Sequence, residues 1–221
     1  MGYKVKVLIA QPKRESTLES LKKVISIRPN VDIILFPEGY FSSDKIESVS
    51  QLAKDLNVYI VCGYKDQESK DRAIIINPFG KVILERAKTP EGESLYVPSK
   101  VEDGGRKFGF VLCREIFQGI NGMGQEQVDI IFNPIGVGMF SEEQFTQWTG
   151  EARKLAVEQQ TIVVGVSHAD GSYRDCGFSI PIAYCFDKNG KDLLILKNDT
   201  RSIIIDTESH SAEFVKYAPV F

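Results

Sequence analysis

DIILFP, residues 32–37, is the stretch on which the fold turns. Its apolar residues run on without alternation, bounded by Asp32 and Pro37. A strand of that kind is covered on both faces, which predicts a sheet packed between other layers. The same composition and ending return in DIIFNP, residues 129–134, and this echo suggests at most two similarly wound halves. Outward from it, KVKVLIA (residues 4–10) alternates with period two and reads as a strand. Ser16-Thr-Leu-Glu19 has the capping-box pattern ahead of Leu18, Leu21, Val24 and Ile25, which share one helical face. A second helix fits Asp44 to Leu56, followed by the strand VYIVCGY.

The middle of the chain is richer in strands. RAIIIN, the turn Asn77-Pro-Phe-Gly80 and KVILERA form a hairpin pattern, and KFGFVL is the next strand. Ser141-Glu-Glu-Gln144 opens a third helix that runs to about Gln159 through Phe145, Trp148, Ala152, Leu155 and Ala156. TIVVGVS, FSIPIAYCF, the turn Asp187-Lys-Asn-Gly190, DLLIL and SIIID complete a β-rich second half. Helices alternating with buried strands and hairpins predict one α/β layered sandwich over residues 1–221.

Composition excludes several function classes. With 221 residues, 43% of them hydrophobic, the chain can bury a full core as one domain. A net charge of -3 and scattered Lys and Arg leave no electrostatic case for nucleic acid or an anionic membrane. The amino-terminal apolar run is too short and too charged for a signal peptide or a span, so a soluble, cytoplasmic protein is expected. Cys62, Cys113, Cys176 and Cys185 form no CxxC pair, and His168 and His210 do not stand at metal-ligand spacing. No cofactor and no metal are expected, and three of the four cysteines read as packing residues.

Three polar residues stand just beyond predicted strands, where open α/β sheets gather their chemistry. Glu38 follows DIILFP, Lys88 follows the hairpin in ERAKTP, and Cys113 ends FGFVL. Each alone has a plainer reading: a loop carboxylate, a surface charge, a small buried hydrophobe. Together they supply the parts of an acyl transfer. A carboxylate takes the thiol proton, an ammonium stabilises the oxyanion, and the same carboxylate returns a proton to the leaving nitrogen. The serine-hydrolase elbow, a Walker A loop and a GxGxxG after a strand are missing from the sequence. A Cys-His hydrolase would need His168 or His210 beside Cys113.

LFPEGY, RAKTP and GFVLCREIF, in this order, resemble the Glu-Lys-Cys motifs of the nitrilase, or carbon–nitrogen hydrolase, superfamily. The resemblance spans most of the chain. INPFGKVILERAK is similar to the family's hairpin before the catalytic lysine, FNPIG to its Asn-Pro element, EARKLAVEQQ to its Arg-Ala-x-Glu-Asn segment, and GFSIPIAYCFDKNGK to its Gly-x-Ser strand and turn. It implies a four-layer αββα sandwich, Cys113 as nucleophile, Glu38 as general base and acid, and Lys88 as oxyanion stabiliser. An auxiliary glutamate is implied at Glu91 or Glu93, with Glu93 favoured by the spacing to Tyr96. Glu158 would support the site. Arg114 and Asn133 are candidate substrate contacts, and Arg153 a further arginine able to meet a carboxylate.

The substrate implied is a small-molecule amide or carbamoyl compound, and a homodimer is expected, with AEFVKYAPVF able to pack across its contact. The chain departs from the family's pattern at Pro90-Glu91, where His-Leu is usual, at Arg114, where an aromatic is common, and at Glu115, where Asp is common. Gly119, Gly122 and Gly124 weaken the helix expected after the nucleophile. A second class of function is open: a protein of the same fold that has lost turnover and serves as a binding or scaffold protein.

Overall fold

The computed structural model describes residues 4–15, 17–27, 30–124, 126–169 and 179–216. Two mixed sheets lie face to face, with helices on both outer faces, the four-layer αββα arrangement. The first sheet holds β1 (Lys6–Ile9), β2 (Ile33–Leu35), β3 (Phe41–Ser42), β4 (Tyr59–Lys65), β5 (Asp71–Ile76), β6 (Val82–Ala87), β13 (Ile203–Asp206) and β14 (Ser211–Phe214). Its order is β14-β13-β1-β2-β4-β5-β6, with β3 paired to β4. The second sheet holds β7 (Lys100–Asp103), β8 (Arg106–Phe110), β9 (Ile130–Ile135), β10 (Ile162–Ser167), β11 (Ile182–Phe186) and β12 (Asp192–Lys197), in the order β12-β11-β10-β9-β8-β7.

The two halves repeat one winding. β1, β2 and β4 are parallel neighbours followed by the antiparallel pair β5 and β6. β8, β9 and β10 are parallel neighbours followed by the antiparallel pair β11 and β12. DIILFP and DIIFNP thus occupy the same place, the central strand of each parallel trio.

Side-chain alternation explains the layering. Val7, Ile9, Ile33 and Leu35 point into the core between the sheets, where they meet Phe108, Phe110, Ile130, Phe132 and Val164. Their neighbours Leu8, Ile34 and Phe36 point outward, onto Leu21, Val24, Val49 and Ala53 of α1 (Glu19–Ser26) and α2 (Ile46–Leu56). On the other outer face, Ile131, Val163 and Tyr184 pack against Trp148, Ala152 and Leu155 of α3 (Glu142–Gln159). Burying one such aliphatic side chain stabilises the fold by about 1.5–3 kcal/mol, so a strand buried on both faces is held by every residue it has. Cys62 and Cys185 fill the outer and central cores, whereas Cys176 lies outside the described residues.

Helix starts follow the expected chemistry with two adjustments. At α3 the Ser141 hydroxyl accepts the Gln144 N–H at 3.1 Å, while the Gln144 side chain accepts from Phe140 at 2.6 Å. Ser16 lies outside the described residues, and the first turn of α1 is held instead by Glu15, whose carboxylate accepts the Ser20 N–H at 2.9 Å. The start predicted at Asp44 is a short 3-10 turn, Ser43–Lys45, leading into α2. β7 and β14 carry no apolar alternation because each is a sheet edge, and charged residues keep such an edge from pairing further. β14 takes in the Ala212–Phe214 portion of the tail, and residues 217–221 lie outside the described residues. Among the described residues no helix is long and apolar enough to cross a membrane.

Candidate active site

Strand ends position all three candidate residues. Glu38 stands just beyond β2, Lys88 just beyond β6 and Cys113 just beyond β8. The loop bearing Glu38 is fastened to β4 on both sides: Phe36 N–H donates to Val61 O at 2.8 Å, Gly63 N–H to Pro37 O at 3.2 Å, and Tyr40 N–H to Gly63 O at 3.0 Å. Such close approach requires glycine at position 63, where a methyl group would lie 2.7 Å from the Glu38 Cα. His168, beyond β10, is buried, and its ring nitrogens face the carbonyl oxygens of Glu38 (2.9 Å) and Pro12 (3.3 Å). It therefore holds the Glu38 backbone and is not the partner that a Cys-His hydrolase would need. His210 sits in the β13–β14 turn, beside the start of β1 and so at the opposite end of that sheet.

The structure brings the three side chains together. Lys88 Nζ donates to Glu38 Oε1 at 2.7 Å, and the Cys113 thiol lies beside the Glu38 carboxylate. The Gly136 N–H, beyond β9, also reaches the sulfur, and Arg14 donates to the Gly136 carbonyl. A side chain at 136 would collide with the carboxylate, because a Cβ there would lie 2.4 Å from Glu38 Oε2. Cys113 adopts φ 54°, the left-handed region, which costs a non-glycine residue about 1–3 kcal/mol and persists only when its surroundings over-determine it. The short 3-10 turn Cys113–Gln118 follows and stops at Gly119, φ 69°, so the glycines leave no longer helix here.

The determinant of that turn is Asn133. It is fully buried, its amide donates to Val111 O (2.8 Å) and Cys113 O (3.0 Å), and its oxygen accepts from Trp148 Nε1 (3.1 Å) and Tyr184 Oη (2.5 Å). Two donors and two acceptor sites are the whole capacity of a carboxamide. The expectation of a substrate contact at Asn133 is corrected: nothing on this side chain is left to offer a ligand. It clamps the carbonyls on either side of Leu112 and fixes the turn that carries Cys113.

Burial governs the electrostatics. It is the largest effect on Glu38 and raises its pKa above the usual glutamate value, with Asp71 adding to the rise and Lys88 opposing it. Burial also pushes the Cys113 thiol up to about 12, helped by the neighbouring carboxylate and opposed by Lys88 and the Gly136 N–H. Desolvation would lower Lys88, but the negative charges of Cys113 and Glu38 outweigh it and the lysine is raised. Burial therefore keeps the Cys113 thiol protonated at neutral pH, with Lys88 paired to Glu38.

A hollow of about 460 Å³ opens over Lys88, lined also by Lys70, Asp71, Glu91, Arg114 and Gln118. Arg114 is at its rim, exposed, with Nη2 donating to Glu91 Oε1 at 2.9 Å. The auxiliary glutamate is a correction. Glu93 is exposed and bonded to the Tyr96 hydroxyl, and Glu91 is exposed and paired with Arg114, so neither joins the three central groups. Glu115, named above only as a departure from the family's Asp, is a second buried carboxylate here, in addition to Glu38. Glu158 is exposed in the last turn of α3, and Arg153 is taken by Asp192 and the Gly190 carbonyl with its guanidinium over the Phe186 ring.

No protein-family model and no curated protein sequence matches the chain. Solved structures do. A carbon–nitrogen hydrolase from Helicobacter pylori G27 aligns with TM-score 0.73 at 13% identity, over 94% of this chain and 91% of that one. Nit3 of Saccharomyces cerevisiae, a member of branch 10 of the nitrilase superfamily, aligns with TM-score 0.66 at 17% identity, over 94% and 92%. An amidase mutant from Nesterenkonia sp. AN1 aligns with TM-score 0.62 at 15% identity over 91% and 89%, and it carries the acetamide moiety of fluoroacetamide covalently on its active-site cysteine. The chain therefore has the fold of the nitrilase superfamily structures.

Proposed function

We propose that this protein is a cysteine-dependent hydrolase of a non-peptide carbon–nitrogen bond in a small amide or carbamoyl compound. One observation carries the reading: the Cys113 thiol and the Lys88 ammonium both contact the buried carboxylate of Glu38. A lone buried cysteine would need neither. The acetamide moiety held on the cysteine of the Nesterenkonia amidase supports a nucleophilic cysteine in this fold.

Attack begins with proton transfer from Cys113 to Glu38 as the sulfur bonds to the carbonyl carbon. The oxyanion then meets the Lys88 ammonium and the backbone N–H of Arg114. Glu38 hands its proton to the departing nitrogen, the C–N bond breaks, and a thioester remains on Cys113. Water, losing a proton to Glu38, cleaves the thioester and frees the acid. The hollow over Lys88 has the size of a small-molecule site.

Released ammonia from a panel of small amides, carbamoyl amino acids and nitriles tests this reading, together with iodoacetamide labelling of the cysteines. We expect turnover of at least one amide or carbamoyl compound, and labelling of Cys113 ahead of the buried Cys62 and Cys185. No turnover together with indifference of Cys113 would favour the binding or scaffold protein.

Arg114 is the proposed substrate contact at the rim. Its pair with Glu91 has side chains 61% and 79% exposed, and exposed pairs are worth at most about 1 kcal/mol, so a substrate carboxylate can displace Glu91. For a carboxylate-bearing substrate, Arg114→Ala should raise KM by about 5–20-fold with kcat nearly unchanged, the pattern of lost uniform binding. An uncharged amide should respond less than about twofold. Equal effects on both substrates in steady-state kinetics would remove Arg114 from this role.

A further inference from the structure

We propose that the buried Arg86–Glu115 ion pair is a positioning device that sets Lys88 and Cys113 in register across the two sheets; the inference rests on the hydrolase reading above. Both side chains are about 98% buried, at 2% and 1% exposure. Glu115 Oε1 accepts from Arg86 Nη1 (2.8 Å) and from the Thr89 N–H (2.6 Å). Its Oε2 accepts from Arg86 Nη2 (2.6 Å) and from the Leu112 N–H (2.5 Å). Arg86 in turn donates to Ala87 O at 2.9 Å and to Phe110 O at 3.1 Å. The carboxylate thus grips the residue after Lys88 and the residue before Cys113, while the guanidinium grips the residue before Lys88 and the end of β8.

No strand ladder joins β6 to β8, since they belong to different sheets. Apolar packing alone would let the sheets slide relative to each other. Stability does not account for the pair, because desolvating two charges is costly and a well-packed hydrophobic substitute is often equal or better. What apolar residues cannot do is direct two backbone N–H groups onto one carboxylate. Arg86 and Lys88 stand two apart, and Glu115 stands two after Cys113, so the pair is tied to both reacting groups through short, stiff backbone.

Two variants test this. Glu115→Gln removes the carboxylate; Arg86→Met with Glu115→Gln removes both charges and leaves no orphan ion should the single variant fail to fold. The readouts are the pH profile of Cys113 alkylation by iodoacetamide, and kcat against KM, taken on protein shown folded by circular dichroism. Positioning predicts that the alkylation profile moves to higher pH, because Lys88 no longer faces the sulfur. The rate at neutral pH should fall about tenfold, and kcat about 10²-fold with KM within about threefold, as expected for a misplacement near 1 Å. A folded double variant whose alkylation profile matches the parent's overturns the inference, even if its melting temperature has dropped. If the parent turns over no substrate, the hydrolase reading fails while the alkylation profile still decides this one.

Discussion

Cys113→Ala is expected to fold like the parent and to lose turnover by roughly 10⁴–10⁶-fold, down to the background of an ammonia-release assay. The loss is large because, in the proposed mechanism, the sulfur is the atom that becomes bonded to the acyl group, and no neighbour can replace it. Glu38 faces the sulfur from one side and Lys88 pairs with Glu38, so removing the thiol leaves a base and an oxyanion donor with nothing to activate. Stability should change little. The substitution deletes one atom, the backbone at φ 54° remains held by Asn133 through the Val111 and Cys113 carbonyls, and the Glu38–Lys88 pair survives. Mass spectrometry of the parent during turnover should find an acyl adduct on the peptide containing Cys113, which the variant lacks. An alanine protein that still releases ammonia from a parent substrate would end the nucleophile assignment.

The parts of this site that were legible in the sequence are those set by local pattern. DIILFP and DIIFNP each announced a strand covered on both faces, and each lies at the centre of a parallel trio. Glu38, Lys88 and Cys113 were found because strand ends are where α/β sheets expose polar groups. What escaped depended on contacts between distant segments. Glu115 stood out only as a departure from the family's usual Asp, yet it binds Arg86 and Thr89, 29 and 26 residues away. A signal was present: in VILERA-K the period of a strand puts Arg86 on the face of Lys88, so an arginine there had to be buried with a partner. Asn133, in the stretch that resembles the family's Asn-Pro element, was expected to face a ligand, but its four hydrogen bonds go to residues 111, 113, 148 and 184. Glu93 was chosen on spacing to Tyr96, and the two are indeed partners, on the surface.

Replacing Glu38 with glutamine should lower kcat/KM by about 10²–10⁴-fold, the usual weight of a general base, while leaving the Cys113 sulfur in place. The pH dependence gives the test its direction. In the proposed mechanism, attack requires the ionised carboxylate, so the parent's kcat/KM should rise with pH as Glu38 loses its proton. Burial raises that group above the ordinary glutamate value of 4.5, and Asp71 adds to the effect, so the acid limb should have its midpoint above 4.5. Glu38→Gln should lack this limb. The same shift predicts stability. A folded-state pKa raised above the unfolded one means that the contribution of Glu38 is fully present below pH 4.5 and is lost as pH rises through the folded value. Lys88, itself raised in the parent, stays charged there over that window. Between pH 4 and 8 the parent should therefore lose unfolding free energy relative to Glu38→Gln. Chemical denaturation at the two ends of that range measures the difference. A parent that instead gained stability relative to the variant would mean that Lys88 outweighs burial at this carboxylate, and that the base is an ordinary, strongly paired glutamate whose acid limb falls below 4.5.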